Sequence, residues 1–360
     1  MKNINGWWIP AEDGGEGREY KWDYLNREYG IKLFYGKNQK KVQLERARRG
    51  KTTLIVMDNS VTSLDFLSDF PKRSVTAFLV SDETYSAIKT CKLLMHPSIK
   101  IVFRDYPLRS IRGIFFYPRL FISSATMLLK YERDFSSWFS AFISGIAMMG
   151  KQVAMRSISK LSRKEIRHLP LGYTGTFASN FSNFFSVNAG ESLVTHAIRG
   201  ITSNEMLKKR EETFFAGQRG KFDRRVFLNS ARSLKLNVNH VHETYGGPAE
   251  VEDRRKAQIN YFCGLLNSRF SICPSGNYSV ESFRYLESLL MQALPIVPRS
   301  VLSDPLYSNF SVETWRYQDA EWFRKFPEVL RTTLIKQKLE KLDIQIKTII
   351  AELRLNEVNF

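Results

Sequence analysis

Cysteine is scarce, with three in 360 residues. Cys91, Cys263 and Cys273 have neither the even count of a disulfide framework nor metal-ligand spacing. A cross-linked secreted scaffold is excluded on this reading, and a reducing, cytoplasmic compartment is expected. No apolar run reaches the roughly 18 residues that a membrane span needs. The nearest approach is Phe135 to Gly150, an uncharged stretch bounded by Asp134 and Lys151. It reads as a buried core helix, with docking on a membrane surface as the alternative. The opening MKNINGWWIPAEDGGEG lacks the apolar stretch of a secretory signal. No repeat at a fixed period sets up a solenoid or propeller. Acids are also short: 36 Asp and Glu stand against 54 Lys and Arg, for a net charge of +18. Such an imbalance calls for an anionic partner, whether nucleic acid, membrane or acidic substrate. Helix-turn-helix, zinc-finger and stacked-aromatic strand motifs are missing, so no specific nucleic-acid partner is expected.

What is present is the composition of a globular chain, 43% hydrophobic and 25% charged. Its length suits two lobes with a cleft between them. The charge is uneven: residues 1–160 carry 26 basic and 15 acidic residues, a surplus of +11, and the remainder contributes +7. Lys37 to Lys51 alone packs seven basic residues against the single acid Glu45. A solvated basic face and a docking surface for anions are both open readings of that run.

Three apolar runs in the first half, TTLIVMD, SVTAFLVSDE and IKIVFRD, read as buried parallel strands ending at Asp58, Glu83 and Asp105. Side chains just beyond such carboxyl ends face a ligand crevice. A break near Pro170, Gly172 and Gly175 places a first Rossmann-like lobe over residues 1–165. A second lobe follows over 166–325, with strands expected at ETFFAG, LNVNHV, RFSICPSG and PIVPR. In the tail, residues 326–360, the seam Ile335, Leu339, Leu342, Ile346, Ile349 and Leu353 predicts a helix that packs on the body or forms a homodimer seam. The fold class expected is α/β, with two lobes of parallel sheet and a C-terminal helix.

The segment Arg269 to Val297 carries the strongest chemical signal. A strand ending at Cys273 breaks into a Pro-Ser-Gly turn, and a helix begins near Ser282. Unpaired backbone N–H groups and the helix dipole make that junction an anion site. Ser275 and Ser282 can donate to a pyrophosphate, and Gly276 permits close backbone approach. Arg284 and Glu287 lie on one helical face. Glu287 could accept from ribose hydroxyls, or the two could form only an exposed surface pair.

The order Cys273-Pro274-Ser275-Gly276, Ser282-Phe283-Arg284, Glu287, then Pro295-Ile296-Val297 resembles the donor-site signature of exostosin-type glycosyltransferases. Upstream, Phe214 to Arg232 resembles the same family's strand, glycine and basic turn followed by a helix. The likeness covers roughly residues 212–300. It departs by one extra residue between Gly276 and Ser282, and by Gln292-Ala293-Leu294 where the family has a small-Gly-Cys step. The resemblance implies a GT-B fold and transfer from a nucleoside diphosphate sugar, UDP-sugar favoured, with inversion and no bound metal or other cofactor. The acceptor would be a polysaccharide or a lipid-linked glycan, reached from the inner face of an anionic membrane. It also implies that Glu287 holds the ribose, that Ser282 and Arg284 face the phosphates, and that Arg219 or Lys221 neutralises the leaving diphosphate. Asp82 and Glu83 are the candidate general bases, with Asp58 and Asp105 as alternatives. His240, His242 and Glu243 make only a weak metal set, and His196 is ambiguous. A non-catalytic glycan- or nucleic-acid-binding protein of the same fold is the competing expectation.

Overall fold

The computed structural model describes residues 4–9, 19–58, 61, 63–80, 87–105, 135–203, 207, 209, 211–218, 241–242, 251–273, 283–296 and 320–358. A six-stranded parallel sheet is built from β1 (Ile4–Ile9), β2 (Ile31–Phe34), β3 (Thr53–Asp58), β4 (Val75–Val80), β5 (Ile99–Arg104) and β6 (Glu165–His168). Its order is β2-β1-β3-β4-β5-β6, and every neighbouring pair is parallel. Between the strands lie α1 (Glu19–Tyr29), α2 (Lys37–Arg48), a 3-10 turn (Asp65–Asp69), α3 (Ala87–Met95) and α4 (Phe135–Ser162). This is a Rossmann-like α/β arrangement.

The direction of travel across the sheet decides which face each helix covers. From β2 to β6 every crossover moves the same way, so right-handed connections put α2, α3 and α4 on one face. Only β1 to β2 moves back, which sends α1 to the other. Alternation along the strands agrees. Ile55, Met57, Ala77, Leu79 and Val102 pack with Ala47, Leu93, Leu94 and Ile158 on what we term the outer face. Leu54, Val56, Phe78, Val80 and Phe103 pack with Tyr24 and Leu25 of α1 on the inner face.

A second parallel sheet has the order β11-β10-β7, formed by β7 (Glu211–Phe214), β10 (Ser268–Ile272) and β11 (Leu294–Ile296). Two short strands, β8 (Gly217–Gln218) and β9 (Val241–His242), pair in parallel beside it. Around it are α5 (Gly175–Phe185), α6 (Leu193–Thr202), α7 (Val251–Asn267), α8 (Phe283–Leu290), α9 (Ala320–Lys325) and α10 (Glu328–Val358). The inner-face core does not stop at the first sheet. It continues without a break through Phe177 and Phe181 of α5 and Leu193 and Val194 of α6, then into Phe214, Phe270, Ile272 and Leu290. Two glycines permit close packing along it. A Cβ on Gly172, held at φ +87°, would lie 2.6 Å from the Tyr24 ring, and one on Gly264 would collide with that of Phe214.

The seam of the tail lies on the body: Ile335, Leu339, Ile346, Ile349 and Leu353 are all buried in this same core. Helix α10 spans both sheets. Near its start the fully buried Arg331 donates to the carbonyls of Arg269 and Gln292 and pairs with Glu328. Towards its end Glu352 pairs with Arg167 of β6, and Gln345 lies 3.4 Å from His168. Strand β6 completes the first sheet, so that sheet runs on past residue 165 into the stretch assigned to the second lobe. Among the described residues no helix is long and apolar enough to cross a membrane.

Candidate functional site at the carboxyl edge of the second sheet

Strand β10 delivers Cys273 to the carboxyl edge of its sheet, where the Cys273 N–H donates to the Ile296 carbonyl at 2.8 Å. The thiol is buried, 3.7 Å from the hydroxyls of both Ser271 and Ser288. Burial pushes it above the ordinary thiol value, so it is protonated at neutral pH and unsuited to nucleophilic work. The chain returns as α8, whose second residue, Arg284, donates Nε to the Ala216 carbonyl at 2.8 Å. Its guanidinium lies over the Phe215 ring, 5.4 Å from the centroid. Phe215 and Ala216 immediately follow β7, so Arg284 bridges the carboxyl ends of β7 and β10.

A second cation reaches the same edge from α10. The Lys338 side chain is 2% exposed, its Nζ has no hydrogen-bond partner among the described residues, and it sits 5.9 Å from the centroid of Tyr285 in the first turn of α8. Burial, aided by nearby Lys341 and opposed by Cys273, lowers its pKa to about 7. Cys273 lies within the electrostatic reach of both Arg284 and Lys338. An ammonium buried without a partner is costly. Two cations converging on one strand end beside a helix N-terminus lower the cost of placing an anion there.

Glu287, expected to grip a ribose, is instead built into the interior. It is 2% exposed. Its Oε1 accepts from Thr174 N at 2.9 Å and Thr174 Oγ1 at 2.8 Å, and its Oε2 accepts from Tyr261 OH at 2.6 Å. Burial raises its pKa in spite of these donors. Desolvation and the neighbouring carboxylate likewise hold the Tyr261 phenol well above its ordinary value. Thr174 is the N-cap of α5, its side chain accepting from Phe177 N, so Glu287 ties α8 to the start of α5 and to α7. The reason is geometric. On an eight-residue helix between sheet and helices, the position one turn in from Arg284 points at the core.

Glu28 of α1 does the same for the next helix. It accepts from Tyr173 OH at 2.8 Å, Ser192 Oγ at 2.6 Å and Leu193 N at 2.9 Å, and burial raises its pKa. Ser192 is the N-cap of α6. Two buried carboxylates, one from each half of the chain, thus hold the starts of two consecutive helices.

Of the residues expected from sequence, the structure brings together Arg284 and Glu287. Asp82, Glu83, Arg219, Lys221, Ser275, Gly276 and Ser282 lie outside the described residues, as do His240 and Glu243. Asp105 is fully buried just past β5, which removes it from contact with an acceptor in solvent. His196 stands 3.7 Å from Glu191 and edge-on to Phe181, a helix-surface setting. Among the described residues no group of side chains could hold a metal ion. Sequence reasoning missed Lys338, Tyr261 and Thr174. The one available signal was that Lys338 sits three residues after the seam residue Ile335, on the buried flank of the helix. Scans against protein-family models and against curated proteins return no match for this chain.

Proposed function

We propose that the chain is a glycosyltransferase of GT-B type that binds a nucleoside diphosphate sugar at the carboxyl edge of the second sheet. The observation that carries this reading is the placement of Arg284 against Phe215 and Ala216 at the end of β7 and of Lys338 against Tyr285, both at the first turn of α8. Breaking a sugar–phosphate bond develops negative charge on the departing diphosphate, and fixed cations aimed at that charge stabilise the transition state. Arg284 fills this role, with Lys338 in its protonated form, joined by Ser275, Gly276, Ser282, Arg219 and Lys221 of the motif that resembles exostosin-type enzymes. Glu287 supports the site from beneath by fixing α8 rather than by holding the ribose. Asp82 and Glu83 follow β4 and serve as candidate bases for an acceptor hydroxyl of a polysaccharide or lipid-linked glycan. The resemblance implies transfer with inversion and no need of a bound cofactor.

The test is a melting-temperature screen with UDP and other nucleoside diphosphates, followed by donor hydrolysis and transfer with a panel of nucleotide sugars. UDP should raise the melting temperature. Arg284→Met and Lys338→Met should each weaken its binding by about tenfold or more, the worth of one charge-assisted contact. A protein that melts unchanged with every nucleotide, or variants that bind as the parent does, would refute the assignment. Binding without turnover of any sugar donor would favour a non-catalytic glycan binder.

A further inference from the structure

We propose that the outer face of the first sheet docks on an anionic phospholipid bilayer, with α4 lying in the plane of the membrane. The face is defined by α4 and its neighbour α3. Along α4, Phe139, Ile143, Ile146, Val153 and Leu161 recur at helical spacing and are between 43% and 82% exposed. Ala147, Gly150, Ala154 and Ser157 complete the exposed stripe without a charge. From Phe139 to Leu161 the stripe is about 33 Å long at the rise of an α-helix. The opposite face, with Met148, Gln152 and Met155, is buried. The uncharged run expected as core therefore turns one side to the protein and the other outwards. Helix α3 adds Ile88 and Met95, exposed on either side of exposed Lys92.

Charge selects the occupant. Neither α3 nor α4 contains an Asp or Glu, while Lys89, Lys92, Lys151, Arg156 and Lys160 belong to them. The basic helix α2 lies on the same face of the sheet and adds exposed Val42. The acids on this side, Glu45 of α2 and Asp65 and Asp69 of the 3-10 turn, lie outside α3 and α4, and Asp69 pairs with Lys40. On α3 and α4 themselves the exposed apolar stripe is accompanied by cations alone, the pattern of a helix that rests in a lipid interface. Its apolar side enters the acyl boundary and its lysines meet anionic headgroups. A second copy of the same face would bring these cations against one another. The inference rests on the outer face alone and stands whether or not the chain transfers sugars.

Flotation of the full chain with vesicles tests it. Phosphatidylcholine vesicles with about one-third phosphatidylglycerol should carry the protein, pure phosphatidylcholine should carry far less, and raising the salt should weaken the binding. Ile143→Asp with Val153→Asp should cut the bound fraction at least about tenfold. Because both positions are exposed, melting temperature and nucleotide response should match the parent, which separates this result from a failed fold or a failed donor site. Lys92→Glu with Lys160→Glu should lose the anionic preference. Binding by the Ile143/Val153 variant equal to the parent's would overturn the proposal. So would no binding to any vesicle, or a parent dimer in sedimentation that the same variant dissolves.

Discussion

At the scale of single residues, the interior holds several groups whose charge the fold resists. Lys338 is the clearest, and its sign can be followed through. Between the ordinary lysine value of 10.5 and about 7 the unfolded chain carries a proton here that the folded chain lacks. Stability therefore falls as the pH is lowered through that window. Replacing Lys338 with Met should raise the melting temperature at pH 7 by about 4 °C or more and should flatten the slope, the gap closing towards pH 10. Melting curves of parent and variant over that range are the check, and a flat parent curve would remove the buried ammonium. Glu28 and Glu287 act in the opposite sense. Their pKa values are raised, so the stability linked to their protonation is full below the ordinary carboxyl value and falls as pH rises through the folded one.

At the scale of elements, the caps explain what sequence could and could not reveal. Strands β3, β4 and β5 were legible because each is a continuous apolar run, as a strand buried on both faces must be. The tail helix was legible from its seam. Strand β6, Glu-Ile-Arg-His at the sheet's edge, carries no such signal, and β1 hides in a glycine-tryptophan stretch. Ser192 and Thr174 have the chemistry of N-caps, but their carboxylate partners sit 164 and 113 residues away, and no spacing rule connects them. For the same reason Glu287 could pass for a surface or ligand residue until α5 was in place. The α6 cap makes a direct test. Ser192→Ala should cost about 1 kcal/mol, and Glu28→Ala, which strands three donors, about 3 kcal/mol or more. In a double-mutant cycle the loss of the double variant should fall short of the sum of the two single losses, since one hydrogen bond is common to both. Full additivity in denaturant titrations would show that Glu28 and Ser192 act separately.

At the scale of the molecule, two sheets share one core. Ile346 is buried in the cluster that contains both Val56 of β3 and Phe270 of β10. Ile346→Ala, expected to cost about 2–5 kcal/mol, should then move the unfolding of both halves together, as a single calorimetric peak shifted to lower temperature. Two peaks, only one of them shifted, would mean that the sheets melt independently. The continuity of this core also bears on when the protein can be finished. Helix α10 follows every other described element in the chain, yet Ile335, Leu339, Ile349 and Leu353 are buried in a core shared with elements made long before them. During synthesis at about 5–20 residues per second the first sheet leaves the ribosome many seconds ahead of α10. For that interval the surfaces of α1, α6, α8 and β11 that α10 covers stand open, which is the stage at which a nascent chain most needs a chaperone.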